Sequence, residues 1–223
     1  MGKVVLFGGK KGGVGKSTLT TNMAALRLAK APEKKLLLLD TDSQGSTANW
    51  ATDRKESTDD IIDCLKVYGS DILDKIDSAL EEYDNIIIDS GGRDTSELRY
   101  SMLMADVMVV PVKAGLMDLD TLYVVDELVS RAKEKGNPDL KCFAVINEYK
   151  NHPHITRDQG AINHIRQFDH LVPVESVIHD RISFQRASEK GLGVNELRND
   201  RGRLADSKAI SEITKLYEVI YNE

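Results

Sequence analysis

A glycine- and lysine-rich stretch near the start of the sequence contains the residue types that bind phosphate. The stretch reads Gly8-Gly9-Lys10-Lys11-Gly12-Gly13-Val14-Gly15-Lys16-Ser17-Thr18. It follows the apolar residues 4–7 and precedes a helix-like segment. Glycines let successive backbone N–H groups face a polyphosphate, Lys16 can reach the outer phosphates, and the Ser17 hydroxyl can bind Mg²⁺. This order of strand, loop and helix predicts a phosphate-binding loop.

A pair of carboxylates follows the next apolar run. Asp40 and Asp42 come after the four leucines at 36–39. A buried strand that ends in carboxylates places negative groups where a phosphate-bound cation and an attacking water would sit. The alternative is that the two acidic residues only cap the end of the strand and the following helix.

A third acidic position ends the isoleucine run at 86–88. An aspartate at the end of such a strand holds Mg²⁺, directly or through water, in phosphate-binding proteins. Gly91 and Gly92 come shortly after it, and glycines permit the backbone to rearrange beside a terminal phosphate. We therefore expect Asp89 to bind Mg²⁺ and the loop with Gly91 and Gly92 to be a switch that distinguishes ATP from ADP.

Five apolar runs predict the strands that position these residues. The runs are residues 4–7, 36–39, 86–88, 107–112 and 143–146. Continuous rather than alternating apolar residues are typical of strands covered on both faces, as in a parallel sheet. We also expect a helix over 119–132 with Asp118 as its N-cap. The sequence predicts a doubly wound, mostly parallel α/β sheet flanked by helices, with ligands at the carboxyl ends of its strands.

Length and composition fit one domain over residues 1–223. The chain has 223 residues, of which 41% are hydrophobic, enough for one substantial core. No stretch approaches the ~20 apolar residues that a membrane span needs, and no signal peptide is expected. Two cysteines without metal-binding spacing are typical of a reducing compartment. We therefore expect a cytoplasmic protein.

The phosphate-loop pattern also has a lysine, Lys11, directly before Gly12-Gly13. This K-G-G-x-G-K-[ST] pattern resembles the deviant Walker A motif of the ParA/MinD family of ATPases. The D-x-D-x-Q pattern at 40–44 resembles a second family motif, and a weaker match lies at 176–196. The resemblance implies a P-loop NTPase fold with ATP and Mg²⁺ as cofactors. It points to the small plasmid-partition subtype without an N-terminal DNA-binding domain.

The resemblance also implies roles for individual residues. Lys11 would cross a dimer interface to touch the partner's nucleotide, Lys16 would hold the phosphates, and Asp42 would orient the hydrolytic water. These three residues are the expected catalytic set, and Asn147 would contact adenine. Nucleotide binding is expected of Lys11, Gly12, Gly13, Val14, Gly15, Lys16, Ser17, Thr18 and Asn147, and metal binding of Ser17, Asp40 and Asp89.

In that family, ATP-bound dimers bind DNA without sequence preference, and a partner protein stimulates hydrolysis and releases them. The resemblance implies a slow ATPase for plasmid or chromosome partition, a homodimer with ATP, nucleoid association, and a ParB-like or other adaptor protein as partner. A net charge of −6 does not by itself support DNA binding, so the contacts would lie in local patches. The candidate DNA-binding residues are Arg181, Arg198, Arg201 and Arg203.

Each of these arginines has a plainer alternative, since Arg181 can be structural and the others can lie in a solvated turn. Three functions also stay open. A relative that positions a protein cargo fits the same residues. A MinD-like membrane switch would need a terminal amphipathic helix with a basic face, whereas Ile213, Leu216 and Ile220 look like core positions. We therefore expect no stable membrane association. The third alternative is an ATP-dependent ligase of the same fold.

Overall fold

The computed structural model describes residues 2–150 and 157–221. Its strands are β1 (Lys3–Phe7), β2 (Leu36–Asp40), β3 (Asp63–Lys66), β4 (Asn85–Asp89), β5 (Val107–Val112), β6 (Lys141–Ile146) and β7 (Val172–Pro173). Its helices are α1 (Lys16–Lys30), α2 (Ser46–Ser57), α3 (Asp71–Leu80), α4 (Ser96–Met104), α5 (Leu116–Leu119), α6 (Thr121–Lys135), α7 (Arg157–Ile165), α8 (Ile182–Ser188) and α9 (Ser207–Tyr221).

The described strands form one parallel sheet in the order β3-β2-β4-β1-β5-β6-β7. The predicted doubly wound α/β fold is therefore confirmed. The register pairs Asp89 with Phe7 on one side and with Asp40 on the other. The carboxyl ends of β1, β2 and β4 thus meet at one edge, and this brings the phosphate-loop stretch and the strand-end carboxylates together.

Helices cover both faces of the sheet, which explains why the central strands are continuously apolar. One face packs against α3, α4, α6 and α7 through residues such as Ile72, Leu98 and Leu122. The other face packs against α1, α2, α8 and α9, where Trp50 and Tyr217 are buried. No described helix has the length and apolarity needed to cross a bilayer.

A buried arginine joins α2 to the C-terminal part of the chain. The Arg54 side chain is 0% exposed, and its guanidinium donates to Glu196 Oε1 and Oε2 at 2.7 and 2.8 Å. It also donates to the carbonyl oxygens of Asp60 and Gly191. A Cβ on Gly191 would lie 2.2 Å from the Arg54 backbone nitrogen, so only glycine permits this approach. The arginine therefore fixes the loop after α8 against α2.

The expected helix near residue 119 begins differently from the prediction. Asp118 lies inside the short helix α5, and Asp120 is the residue that precedes α6. The prediction of Asp118 as an N-cap was therefore wrong. An N-cap residue has an extended backbone, whereas Asp118 is helical, and its carboxylate instead pairs with the Lys11 ammonium, with Asp118 Oδ1 and Lys11 Nζ 2.5 Å apart. A long-range charge interaction occupies the group that a cap would need.

Candidate functional site

Two glycines in left-handed backbone conformations shape the loop between β1 and α1. Gly13 and Gly15 have φ angles of 68° and 88°. A Cβ on Gly15 would lie only 2.2 Å from Nδ2 of Asn147, so this position excludes any larger residue. Asn147 itself is buried at the end of β6, and its Nδ2 donates to the Val14 carbonyl oxygen at 2.7 Å. Its amide thus holds the loop in shape.

Lys16 begins α1 and is 6% exposed. Its Nζ donates to the Lys11 carbonyl oxygen at 2.9 Å, so the ammonium turns back across the loop. Burial lowers the pKa of Lys16, while the carboxylates of Asp89 and Asp42 favour its charged form. A buried cation inside a glycine-rich loop is arranged to receive an anion.

Asp89 ends β4 and is fully buried. Its Oδ2 accepts a hydrogen bond from Thr47 Oγ1 at 2.7 Å, whereas its Oδ1 has no hydrogen-bond partner among the described residues. Burial raises the pKa of Asp89 to about 6, although the Ser17 and Thr47 hydroxyls and Lys16 favour the charged form. A carboxylate oxygen without a partner, beside a hydroxyl, is a donor set that suits Mg²⁺. These residues therefore fit that ion.

Asp40 ends the neighbouring strand, and both of its oxygens accept backbone N–H groups. Oδ1 accepts from Asp42 at 3.1 Å and Oδ2 from Ala48 at 2.9 Å. Burial raises the pKa of Asp40, and these two hydrogen bonds oppose the shift. The structure thus places Asp40 beside Asp89 in the register but turns its oxygens toward the loop that carries Asp42. With this geometry, the Asp40 carboxylate can hold the loop that carries Asp42 in place.

Asp42 is half-buried and faces the loop after β4. A Cβ on Gly91 would lie 3.7 Å from Asp42 Cγ, an ordinary contact distance. Gly92 is closer to the phosphate-loop stretch, since a Cβ there would lie 2.6 Å from both Cα and N of Gly12. The two loops are therefore in backbone contact at Gly92. A movement of either loop must be accommodated by the other.

The Lys11 side chain points away from this cluster, although the Lys11 carbonyl oxygen accepts the hydrogen bond from Lys16. The Lys11 side chain is 46% exposed and forms the ion pair with Asp118. The residues just before that aspartate, Leu116 and Met117, are 79% and 83% exposed. An exposed apolar pair next to an accessible lysine is a surface suited to a protein contact.

A cavity of about 540 Å³ lies beside the end of the phosphate-loop stretch. Its lining includes Gly15, Thr18, Asn147, Glu148, Arg181 and Phe184. The Arg181 guanidinium pairs with Glu212, its Nη2 2.6 Å from Glu212 Oε1. Arg181 thus lines this cavity, whereas none of the other three candidate arginines is among its lining residues.

Arg198, Arg201 and Arg203 lie on an ordered turn. A β-bridge joins Arg198 to Leu204, and Asn199 Oδ1 accepts the backbone N–H groups of Arg201 and Arg203 at 3.0 and 3.1 Å. All three arginines are exposed, and none of their guanidiniums forms an ion pair within the described part of the chain. The turn therefore presents three available cations to solvent.

Sequence reasoning missed two residues of the site. Thr47 contacts Asp89, which is 42 residues away in the sequence, and Asp118 contacts Lys11, which is more than a hundred residues away. Neither contact has a local spacing signal, because each depends on which strands the fold makes adjacent. The order of β2 and β4 in the sheet could have suggested that the start of α2 faces Asp89.

Comparison with known proteins gives one family and several similar folds. The family model for the CobQ/CobB/MinD/ParA nucleotide binding domain matches residues 5–194. Maintenance of carboxysome distribution protein A of Halothiobacillus neapolitanus is 27% identical over 198 residues, 87% of each chain.

Two solved structures are similar at lower identity and therefore show the fold alone. Apo McdA of Cyanothece has a TM-score of 0.76 at 16% identity, covering 100% of this chain and 99% of that one. A putative plasmid partition protein of Borrelia burgdorferi, bound to AMPPNP, has a TM-score of 0.67 at 19% identity, covering 100% and 98%. The predicted P-loop NTPase fold is confirmed.

Proposed function

Because this chain belongs to the CobQ/CobB/MinD/ParA nucleotide-binding family, we propose that it is a Mg²⁺-dependent ATPase that dimerises with ATP and switches the positioning of a cargo. The observation that carries the proposal is the pair formed by Lys16 and Asp89. A buried lysine aimed across a glycine-rich loop suits a polyphosphate, and a buried carboxylate oxygen that no described residue contacts by a hydrogen bond suits its cation.

In the proposed mechanism, the backbone N–H groups of residues 12–18 and the Lys16 ammonium bind the phosphates. Ser17 and Asp89 would hold Mg²⁺, which would supply positive charge against the negative charge that develops during phosphoryl transfer. Asp40 would keep the loop of Asp42 in place through its two backbone hydrogen bonds. Asp42 would then orient the attacking water.

The base of the nucleotide would lie in the 540 Å³ cavity beside Gly15. Asn147 would act there mainly by holding Val14 and shaping the wall next to the base. Arg181 would close the same cavity through its ion pair with Glu212 rather than contact DNA.

Dimerisation would follow from the exposed position of Lys11. In one chain it pairs with Asp118, and across an interface the partner's phosphates would replace that carboxylate. Leu116 and Met117 would be buried in the same interface. Because Gly92 contacts Gly12, loss of the terminal phosphate would loosen both loops and favour separation.

We propose that the ATP-bound dimer is retained on DNA without sequence preference. The dimer would be released when a ParB-like or other adaptor protein stimulates hydrolysis. The turn with Arg198, Arg201 and Arg203 supports this part, since three guanidiniums that form no ion pair with the described residues make a local patch on an acidic protein. A dimer would present two such turns. The cargo would then be a plasmid or chromosome.

A protein cargo is the second candidate, and one observation favours it. The relative from Halothiobacillus neapolitanus, matched over 87% of each chain, is named for carboxysome distribution. A membrane-bound switch is less well supported, because the apolar residues Ile213, Leu216 and Ile220 of α9 are buried in the core. The switch chemistry is the same in each case.

Two measurements test the proposal. Phosphate release from ATP should require Mg²⁺ and stop on chelation. Binding to an arbitrary duplex, measured by fluorescence anisotropy with ATP and with ADP, should require ATP and weaken with salt. Arg201→Glu with Arg203→Glu should abolish DNA binding and spare hydrolysis, whereas Arg166→Glu, at a surface ion pair distant in sequence, should preserve both. Wild-type DNA affinity in the double variant would reject the turn as the contact surface.

A further inference from the structure

A hydroxyl from the start of α2 contacts the carboxylate of Asp89. Thr47 is the second residue of α2, and its side chain is completely buried. Its Oγ1 donates to Asp89 Oδ2 at 2.7 Å, and Asp89 Oδ1 has no hydrogen-bond partner in the described residues. The carboxylate is thus held at one oxygen and available at the other.

The same turn of α2 also holds the neighbouring carboxylate. The Ala48 N–H donates to Asp40 Oδ2 at 2.9 Å, and the Asp42 N–H donates to Asp40 Oδ1 at 3.1 Å. One helical turn therefore ties the ends of β2 and β4 to the loop that carries Asp42. The buried Thr47 hydroxyl therefore lies at the junction of both strand ends.

We propose that Thr47 is a positioning residue that keeps Asp89 oriented for Mg²⁺. This inference rests on the proposed function, in which Asp89 and Ser17 hold that ion. The terminal torsion of an aspartate is broad, so an unrestrained carboxylate can turn its free oxygen away from a ligand. The hydrogen bond at Oδ2 restricts that torsion and leaves Oδ1, which has no partner among the described residues, available to a cation.

The size of the effect follows from the behaviour of groups that orient metal ligands. Loss of such a partner typically lowers metal affinity by roughly 10- to 100-fold. A purely space-filling threonine would cost stability instead, with no specific effect on Mg²⁺. Valine distinguishes the two, because it keeps the shape of threonine and removes the hydroxyl.

The experiment compares Thr47→Val and Thr47→Ser with wild type and with Thr52→Val. Thr52 lies on the same helix, and its exposed hydroxyl donates to the Ala48 carbonyl oxygen, so this control removes a hydroxyl that does not reach Asp89. Binding of a fluorescent ATP analogue is titrated with Mg²⁺ and repeated in EDTA. Melting of each nucleotide-free protein reports stability.

The Mg²⁺ midpoint is the Mg²⁺ concentration that gives half of the full change in nucleotide binding. We expect it to be at least about tenfold higher in Thr47→Val than in wild type. Thr47→Ser and Thr52→Val should stay within about twofold of wild type, and affinity in EDTA should not change. If Thr47→Val does not fold, Thr47→Ala and Thr47→Ser are compared instead. A Mg²⁺ midpoint that is raised in Thr47→Ala but not in Thr47→Ser supports the inference, and equal midpoints overturn it.

An unchanged Mg²⁺ midpoint in folded Thr47→Val would overturn the inference, as would equal losses of affinity with Mg²⁺ and in EDTA. Both of those results leave the proposed function intact, because wild type would still need Mg²⁺. A wild-type protein whose nucleotide binding ignores Mg²⁺ would overturn the proposed function as well as this inference.

Discussion

Alanine at position 92 should uncouple the loop after β4 from the phosphate-loop stretch. The new Cβ would lie 2.6 Å from Gly12 Cα, whereas ordinary contacts begin near 3.4 Å. The two loops must therefore separate by about 0.8 Å, because the close atoms belong to backbone and cannot rotate away. Gly91 is the matched comparison, since a Cβ there meets Asp42 at 3.7 Å.

The magnitude follows from how steeply catalysis depends on position. A displacement of about 1 Å can cost 10²-fold, so we expect Gly92→Ala to reduce the rate of ATP hydrolysis by about 10- to 100-fold. Overpacking at this contact should lower the free energy of unfolding by about 1–3 kcal/mol. Gly91→Ala should have a clearly smaller effect on both quantities.

The assay is steady-state phosphate release, with nucleotide affinity measured separately by titration. Gly160→Ala is the control: Gly160 lies in α7, and no atom of the described residues comes within 4 Å of its Cβ position, so the hydrolysis rate should not change. If Gly92→Ala hydrolysed ATP at the wild-type rate, or no more slowly than Gly91→Ala, the loop contact would not transmit the nucleotide state.

Two further predictions concern ion pairs that are at least partly buried. Arg54→Ala leaves the Glu196 carboxylate without its bidentate partner and should lower the free energy of unfolding by about 3–5 kcal/mol in urea titrations; a loss below about 1 kcal/mol would reject its structural role. Burial alone would raise the pKa of Glu212, but Arg181 and the His179 N–H hold it below the usual 4.5. That lowered pKa stabilises the fold above pH 4.5, and the contribution is lost as the pH falls through the folded-state pKa. Glu212→Gln should therefore have a lower free energy of unfolding than wild type at neutral pH, and that free energy should fall less steeply as the pH is lowered. Parallel curves of unfolding free energy against pH for the two proteins would contradict this.

The sequence was most informative where residues that act together are close in the chain. The stretch from Gly8 to Thr18 and the apolar runs predicted the loop and the central parallel strands, because continuous burial leaves a local signature. The short edge strand β3 has the mixed sequence DCLK and is partly exposed, so it has no such signature. The helix start at Asp118 was mispredicted because its partner Lys11 is distant in the chain.

Contacts within the site were the other limit of sequence reasoning. The sequence placed Asp40, Asp42 and Asp89 at strand ends, but it could not say which oxygens face the loops. The structure turns the Asp40 oxygens toward backbone amides and leaves one Asp89 oxygen without a hydrogen-bond partner in the part of the chain that it describes. These differences depend on the packing of α2 against two strands, which no spacing rule encodes.

The central claim is that ATP, and not ADP, joins two copies of the chain. The most direct test is the mass of the Asp42→Ala protein in solution, measured by light scattering with Mg²⁺-ADP and with Mg²⁺-ATP, with Lys11→Ala added as a second change for control. We predict one chain of 24.8 kDa with ADP, twice that mass with ATP, and a return to one chain when Lys11 is also replaced. The same mass with both nucleotides would contradict the account.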